Sequence, residues 1–218
     1  MKIAAPLRRR ATRPRADRRS IRRDYDHAPH VSDAHGGASL NAGEVVNLET
    51  WDAIRSRRNV RDYEDRPIAA GDLDRIAEAA RRAPSSMNEQ PWDFVFLTDR
   101  ERLRTLAGVW RYAEHVAGSA ATVALVAALP EDRDGRDWVL FDLGQACMSI
   151  MLAAADLGIA SCHAAVDDQA LARRVLGLPE DRTCVALVSL GYPVGKLLTP
   201  IERPDRRAFE DAVHREAW

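Results

Sequence analysis

Apolar residues recur at helical spacing in several stretches of the chain. The clearest stretch is 71–82, where they follow the i, i+3, i+4, i+7 pattern of one helix face before Pro84. Near the start of the patterned region, Trp51 and Ile54 are spaced to share a face. The stretch 138–157 is apolar almost all round, which predicts a central buried helix. In chain order, the predicted helices cover residues 49–58, 71–82, 100–107, 138–157, 167–176 and 206–217.

Three shorter stretches have the dense apolar runs that are typical of β-strands. They cover residues 92–98, 121–129 and 183–190, and prolines or a Gly-Tyr-Pro sequence bound them. The middle one is apolar on both faces, so we expect it to be buried on both sides. Helices between well-separated strands predict a mixed α/β or α+β domain.

The charge of the chain is unevenly distributed. Of its 32 basic and 33 acidic residues, ten basic residues and one acidic residue lie in 1–23, which leaves 22 and 32, a net charge of −10, for 24–218. An acidic body argues against nucleic acid as a partner, because phosphate binding needs basic surface. We expect a flexible leader over 1–44, which alone could touch RNA, DNA or lipid, and a folded domain over 45–218. His27, His30 and His35 of the leader are spaced like metal ligands, but we expect no metal site there.

Several protein classes are excluded at this stage. No uninterrupted apolar run approaches the roughly 20 residues of a membrane span, and no apolar stretch near the N-terminus resembles a secretory signal. Cys147, Cys162 and Cys184 lie too far apart for a disulfide framework, so we expect a cytoplasmic protein. The glycine signatures of Rossmann and P-loop nucleotide sites and the G-x-S-x-G elbow of hydrolases are absent.

Three polar clusters call for an explanation. The sequence Arg57-Arg58-Asn59-Val60-Arg61 is either a solvated helix end or an anion site, since guanidinium groups suit phosphates and electron-rich carbonyls. The loop 84–92 is either an ordinary turn or a rigid loop whose hydroxyl and amide groups bind a planar polar ligand. The third cluster, 203–209, is a charged end of the chain.

Together, and in this order, the motifs resemble the nitroreductase family of FMN-dependent oxidoreductases. The resemblance covers 49–218 and leaves the leader without a counterpart. It rests on Arg-Arg-x-Val-Arg, on the Ala-Pro-Ser-Ser-x-Asn-x-Gln-Pro-Trp loop of 83–92, on the helix from Asp142 to Gly158, on Leu-Gly-Leu-Pro at 176–179, on Leu-Gly-Tyr-Pro at 190–193, and on the Arg-Arg-x-x-Glu-x-x-Val-His ending.

The resemblance implies an α+β fold with a mostly antiparallel sheet, helices on both of its faces, and an intertwined homodimer. Two FMN molecules would lie at the dimer interface, each contacted by both chains. By position in the motifs, the cofactor contacts would be Arg57, Arg206 and Arg207 at the phosphate, Arg58 and Asn59 at the ribityl chain and ring edge, Arg61 at the pyrimidine end, Pro84, Ser85, Ser86, Asn88 and Gln90 in the loop, and Ser161, Cys162 and His163 near flavin N5. Of the loop, Ser85, Ser86 and Asn88 would come from the partner subunit.

The implied reaction is hydride transfer from NADH or NADPH to flavin N5 and then to a small acceptor such as a nitroaromatic or a quinone, in a ping-pong mechanism. No protein acid, base or metal is required, because the flavin carries the chemistry. A biosynthetic flavin oxidase or dehydrogenase and a non-catalytic flavin-binding module are the alternatives. Trp110, Arg111 and Tyr112 either line the pocket or are plain core or interface residues. We expect Cys162 and His163 to form no catalytic dyad.

Overall fold

A computed structural model of the chain describes residues 49–218, so the predicted leader, with His27, His30 and His35, lies outside the described residues. The strands form one antiparallel sheet in the order β1-β2-β4-β3. The strands are β1 (Trp92–Leu97), β2 (Ala121–Ala127), β3 (Ala160–Ala165) and β4 (Thr183–Gly191). The helices are α1 (Thr50–Ser56), α2 (Ala70–Arg81), α3 (Arg100–Leu106), α4 (Arg133–Asp156) and α5 (Gln169–Leu176).

The sheet has a hydrophobic core on each face. Along β2, Val123 and Leu125 belong to the core that α2 and α4 form, whereas Ala124 and Val126 belong to the core on the side of α3 and α5. All seven residues of β2 are buried, as the run of apolar residues predicts. The prediction of an antiparallel sheet with helices on both faces is therefore confirmed.

Strand β3 is absent from the sequence prediction. Its sequence, Ala-Ser-Cys-His-Ala-Ala, contains none of the β-branched and aromatic residues that mark strands. Pairing with β4 along its whole length fixes it as a strand at the sheet edge. Tertiary pairing here outweighs local preference, and it is this edge that positions the candidate site.

The predicted helix over 206–217 is wrong. The segment contains only one turn of 3-10 helix, Phe209–Asp211, and every residue from 202 to 218 is exposed in the single chain. A short helix in water gains little without an apolar face packed on the core, and nothing in the described chain covers this one.

Helix α4 begins five residues earlier than predicted, because Asp132 caps it by accepting a hydrogen bond from the Gly135 amide (2.7 Å). Its inner face packs against α2 and the sheet, but Trp138 and Phe141 on the other side are 59% and 60% exposed. The prediction that this helix is buried on all sides is therefore wrong for a single chain. Among the described residues, α4 is the one helix long and apolar enough to cross a membrane by length and composition, although charged residues interrupt its sequence. Its packing against α2 and the sheet makes it a core helix.

Helix α1 is shorter than predicted and presents a different face to the core. Its buried residues are Ala53 and Ser56, whereas Trp51 and Ile54 are 65% and 47% exposed. The predicted stripe therefore points away from the core of its own chain.

Candidate active site

A cleft of about 960 Å³ lies beside the edge strand β3. This volume is within the range of small-molecule and cofactor sites. The segment after α1, the loop after α3 and the end of β3 each supply one part of its wall. The lining residues are Asn59, Arg61 and Asp62 from the first, Trp110, Arg111, Tyr112, Glu114 and His115 from the second, and His163, Ala164 and Ala165 from the third.

The arginine-rich segment reaches the cleft because it lies along the free edge of β3. The Val60 amide donates a hydrogen bond to the carbonyl oxygen of Ser161 (3.0 Å), and Asn59 pairs with Ser161 as an isolated parallel bridge. Asn59 and Arg61, on either side of Val60, thus reach the same cleft as His163. Of the cofactor contacts predicted from the sequence, these three are brought together there within one chain, and the possible pocket residues Trp110, Arg111 and Tyr112 line the same cleft.

The edge of β3 also offers a backbone donor to this cleft. Ser161 directs its carbonyl outward to Val60, and backbone groups two residues apart in a strand point the same way. The amide of His163 therefore points outward as well, and within residues 49–218 no strand pairs with it there. A ligand with an acceptor atom, such as a flavin ring nitrogen, fits this donor.

A buried hydrogen-bond network behind the cleft was not foreseen. The Tyr63 hydroxyl lies 2.6 Å from the Val60 carbonyl oxygen and 2.7 Å from Ser189 Oγ, which lies 2.7 Å from Nδ1 of His115. Ser189 Oγ also lies 3.1 Å from the carbonyl oxygen of Cys162. The network thus ties the arginine-rich segment to two strands of the sheet.

The two carbonyl groups fix part of the proton arrangement, because a carbonyl oxygen can only accept. The Tyr63 hydroxyl donates to the Val60 carbonyl, and the Ser189 hydroxyl donates to the Cys162 carbonyl. The 2.7 Å contact between the two hydroxyl groups shares one of these protons. A neutral His115 with its proton on Nδ1 can donate to Ser189 Oγ.

The electrostatic surroundings agree with a neutral His115. Its side chain is 6% exposed, and burial, followed by the charges of Arg61 and His163, lowers the pKa of His115 to about 4. Burial raises the pKa of Tyr63 above its ordinary value, so the phenol keeps its proton. The members of this network are distant in the chain, so no sequence motif contains them. The one signal in the sequence is Ser189, a polar residue inside the apolar run of β4.

The loop 84–90 is held by α4 and lies outside the cleft lining of its own chain. The backbone amide of Ser86 donates to Oδ2 of Asp142 (3.0 Å), a carboxylate only 2% exposed, and Ser85 Oγ accepts from the Gln90 amide (3.0 Å). Three of its residues have left-handed backbone angles, with φ of 52° at Met87, 58° at Asn88 and 52° at Gln90. Such strain in non-glycine residues is typical of functional loops. Contact of Pro84, Ser85, Ser86, Asn88 and Gln90 with a cofactor stays a prediction.

The other arginines predicted to contact the cofactor lie outside the cleft lining, and one of them is anchored by hydrogen bonds within the chain. Arg58 donates to the carbonyl oxygens of Leu197 (2.8 Å) and Thr199 (3.1 Å), which holds the C-terminal segment beside the end of α1. Arg57 is half-buried, whereas Arg206 and Arg207 are exposed, and none of them lines the cleft. Their contact with a phosphate, and the contact of Arg58 with the ribityl chain, stay predictions.

Cys162 and His163 lie side by side in sequence but differ in environment. The Cys162 side chain is fully buried, and burial raises the pKa of its thiol, so it carries no thiolate at neutral pH. His163 is exposed at the cleft. This geometry gives the pair no means of acting as nucleophile and base.

Comparisons with known proteins agree with this geometry. A sequence model of the nitroreductase family matches residues 54–127 and 110–192. A relative from Archaeoglobus fulgidus, provisionally named an NADH dehydrogenase/NAD(P)H nitroreductase, is 34% identical over 76% of this chain and 96% of its own. The 4-nitrobenzoate reductase of a Nocardioides species is 26% identical over 73% of this chain and 89% of its own. The solved structure of an FMN-dependent nitroreductase from Clostridium difficile has the same fold, with a TM-score of 0.66 and 22% identity over 76% of this chain and 98% of its own. The chain belongs to the nitroreductase family.

Proposed function

We propose that this chain binds FMN in the cleft beside β3 and is a homodimeric NAD(P)H-dependent reductase of small acceptors such as nitroaromatics or quinones. The observation that carries the proposal is the convergence of Asn59, Arg61 and the outward amide of His163 on one flavin-sized cleft. The family's dependence on FMN and the names of its relatives support the same cofactor and electron donor. Bound FMN supplies the chemistry, since it takes up a hydride from a nicotinamide and passes two electrons on.

Arg61 is the residue that favours the reduced cofactor. Reduction places negative charge on the pyrimidine end of a flavin, and a fixed guanidinium there stabilises that charge. Asn59 would contribute an amide to the ring edge, and the His163 amide would donate a hydrogen bond to the ring. The Tyr63–Ser189–His115 network holds this wall in place, because it binds the Val60 carbonyl between Asn59 and Arg61.

The phosphate of FMN carries nearly two negative charges and needs cations where it enters the protein. Arg57 at the end of α1 and the exposed pair Arg206 and Arg207 are the candidates for this role. Arg58 contributes indirectly, because its hydrogen bonds to the carbonyls of Leu197 and Thr199 hold the segment that leads to Arg206 and Arg207.

The homodimer is proposed on the basis of exposed apolar surface. Large apolar side chains are exposed on α1 and α4, namely Trp51, Ile54, Trp138, Phe141 and Met148. Groups of large apolar side chains are seldom left in water by a monomer and are typical of interfaces. In such a dimer the loop 84–90 of one subunit would complete the cleft of the other.

The test is a flavin spectrum of the purified protein, followed by anaerobic titration with NADH and with NADPH. We expect a yellow protein that bleaches with at least one nicotinamide and regains its colour when a nitroaromatic or quinone is added. Steady-state rates at several concentrations of donor and acceptor should give the parallel reciprocal plots of a ping-pong mechanism. A protein that stays colourless after incubation with FMN would contradict the proposal. A yellow protein that no nicotinamide bleaches would favour the oxidase alternative.

A further inference from the structure

The loop after α3 places two aromatic rings at the mouth of the cleft. Trp110 and Tyr112 meet edge to face with their ring centroids 4.8 Å apart. Trp110 also packs against the core under α3, whereas Tyr112 is 56% exposed. The exposed part of the Tyr112 ring is a suitable surface for contact with a flat ligand.

Arg111, between these two residues in sequence, lies over the Tyr112 ring, with its Cζ atom 4.6 Å from the ring centre. Two arginines of α3 bind protein carbonyls instead, Arg100 that of Ser119 (3.1 Å) and Arg102 that of Val175 (2.6 Å). Within residues 49–218, Arg111 makes no ion pair and no side-chain hydrogen bond.

From this arrangement we infer that Trp110, Arg111 and Tyr112 select the electron acceptor, and that they favour flat aromatic acceptors carrying a carboxylate or a similar anionic substituent. The ring of such an acceptor stacks at Tyr112, and its anionic substituent accepts charge-assisted hydrogen bonds from Arg111. This inference rests on the proposed function, because it names the substrate class of the same cleft.

The other charged side chains of the cleft determine whether Arg111 attracts an anionic acceptor from a distance or only on contact. Asp62 and Glu114 line the cleft with Arg61 and Arg111, so these four side chains together carry no net charge. Long-range attraction of anions is therefore not expected. Arg61 is committed to the cofactor, which leaves Arg111 to act on the acceptor at contact distance, where a bidentate guanidinium contact outweighs more distant carboxylates.

The first experiment compares 4-nitrobenzoate with 4-nitrobenzamide, which has the same shape but no charge. The ratio of kcat/KM for the two acceptors is measured in the FMN-loaded protein and in its Arg111→Gln variant. We expect the substitution to lower this ratio about tenfold, the effect of one charge-assisted contact, and Arg111→Lys to retain part of it. Arg104→Gln removes the same charge from an exposed position on α3 and serves as the matched control.

A second measurement separates binding from turnover. Calorimetric titration of the oxidised, FMN-loaded protein with benzoate and with benzamide gives two affinities, and only the benzoate affinity should fall in Arg111→Gln. An unchanged ratio in both experiments would overturn the inference while leaving the proposed function intact. Loss of FMN from the variant would also overturn it, since Arg111 would then belong to the cofactor site. Failure of the unsubstituted protein to bind FMN would instead contradict the proposed function, and the absorption spectrum reports it separately.

Discussion

Nδ1 of His115 lies 2.7 Å from the hydroxyl oxygen of Ser189, a residue 74 positions further along the chain. His115 belongs to the loop after α3 and Ser189 to the central strand β4, so this contact fixes one wall of the cleft to the sheet. Through Tyr63 the same network reaches Val60 in the arginine-rich segment. Two walls of the candidate site are therefore positioned by one buried chain of hydrogen bonds.

The burial of His115 predicts a loss of stability in mild acid. Its pKa is lowered from about 6.5 to about 4 in the folded protein, so the unfolded chain binds more protons between these two values. The contribution to stability is therefore complete above pH 6.5 and declines as the pH falls toward 4. A shift of this size corresponds to at most about 3.4 kcal/mol.

The measurement is urea unfolding at pH 7 and at pH 4.5, followed by fluorescence. Many carboxylates titrate in the same range, so the informative quantity is the difference between the unsubstituted protein and His115→Asn. The variant should lose less stability on acidification than the unsubstituted protein does. His214→Asn, at an exposed histidine outside the cleft lining, is the control and should keep the full pH dependence. Equal pH dependence in all three proteins would refute the assignment.

Gly191 is predicted to be irreplaceable because Tyr63 lies directly on it. A Cβ atom added at Gly191 would lie 2.7 Å from Cδ1 and Cγ of the Tyr63 ring, closer than atoms of a rigid ring can tolerate. Gly191→Ala should therefore cost about 1–3 kcal/mol of unfolding free energy and weaken FMN retention by displacing the segment that holds Asn59 and Arg61. Gly71→Ala, in the first turn of α2 with no atom within 4 Å of the new Cβ, should be neutral or slightly stabilising. Thermal unfolding of both variants tests the contrast.

The sequence pattern predicted those parts of the fold that depend on local periodicity. The buried run of β2 and the amphipathic stripe of α2 are where hydrophobic spacing alone decides the structure. Strand β3 escaped prediction because pairing with β4, not composition, makes it a strand. The helix expected after residue 205 failed for the opposite reason, since a weakly helical pattern found nothing to pack against.

The candidate site divides in the same way. Arg61 and Asn59 stand in a recognisable motif, and their place in the cleft agrees with it. His115 and Ser189 are an isolated histidine and an isolated serine in sequence, and only the fold brings them to 2.7 Å. Asp142 is similar, because its role in holding Ser86 depends on a contact across 56 residues. Motifs thus identify groups that meet a ligand, whereas the groups that position them need the tertiary structure.

The phosphate assignment predicts that FMN retention depends jointly on two distant arginines. Arg57→Ala combined with Arg206→Ala should release FMN during gel filtration, because the phosphate would lose both charge-assisted partners. Arg133→Ala combined with Arg104→Ala removes two exposed charges elsewhere and should leave flavin content unchanged. Unchanged occupancy in the first double variant would refute the assignment.

Arg61→Ala should lower the reduction potential of the bound FMN. Without this cation the reduced cofactor loses its stabilising charge, and the two-electron reduction potential should fall by about 30 mV, equal to about 1.4 kcal/mol. Equilibration with a redox dye of known potential measures the shift. Arg61→Lys keeps the positive charge, so its reduction potential should lie close to that of the unsubstituted protein. A potential that is the same in Arg61→Ala and the unsubstituted protein would show that the guanidinium does not face the pyrimidine end.

If each site is composed from two subunits, two variants of reduced activity should complement each other. Arg61→Ala damages the cleft, whereas Asn88→Gly removes an amide from the loop and tolerates the left-handed backbone there (φ of 58°). In a mixed dimer one site would carry both defects and the other neither. After an equal mixture is unfolded and refolded, about a quarter of all sites should be intact, since half the dimers are mixed and half their sites carry neither defect. The activity should therefore exceed the average of the two variants, by at most about a quarter of the activity of the unsubstituted protein. A mixture no more active than the average of its two components would show that the cleft and the loop serving it belong to the same chain.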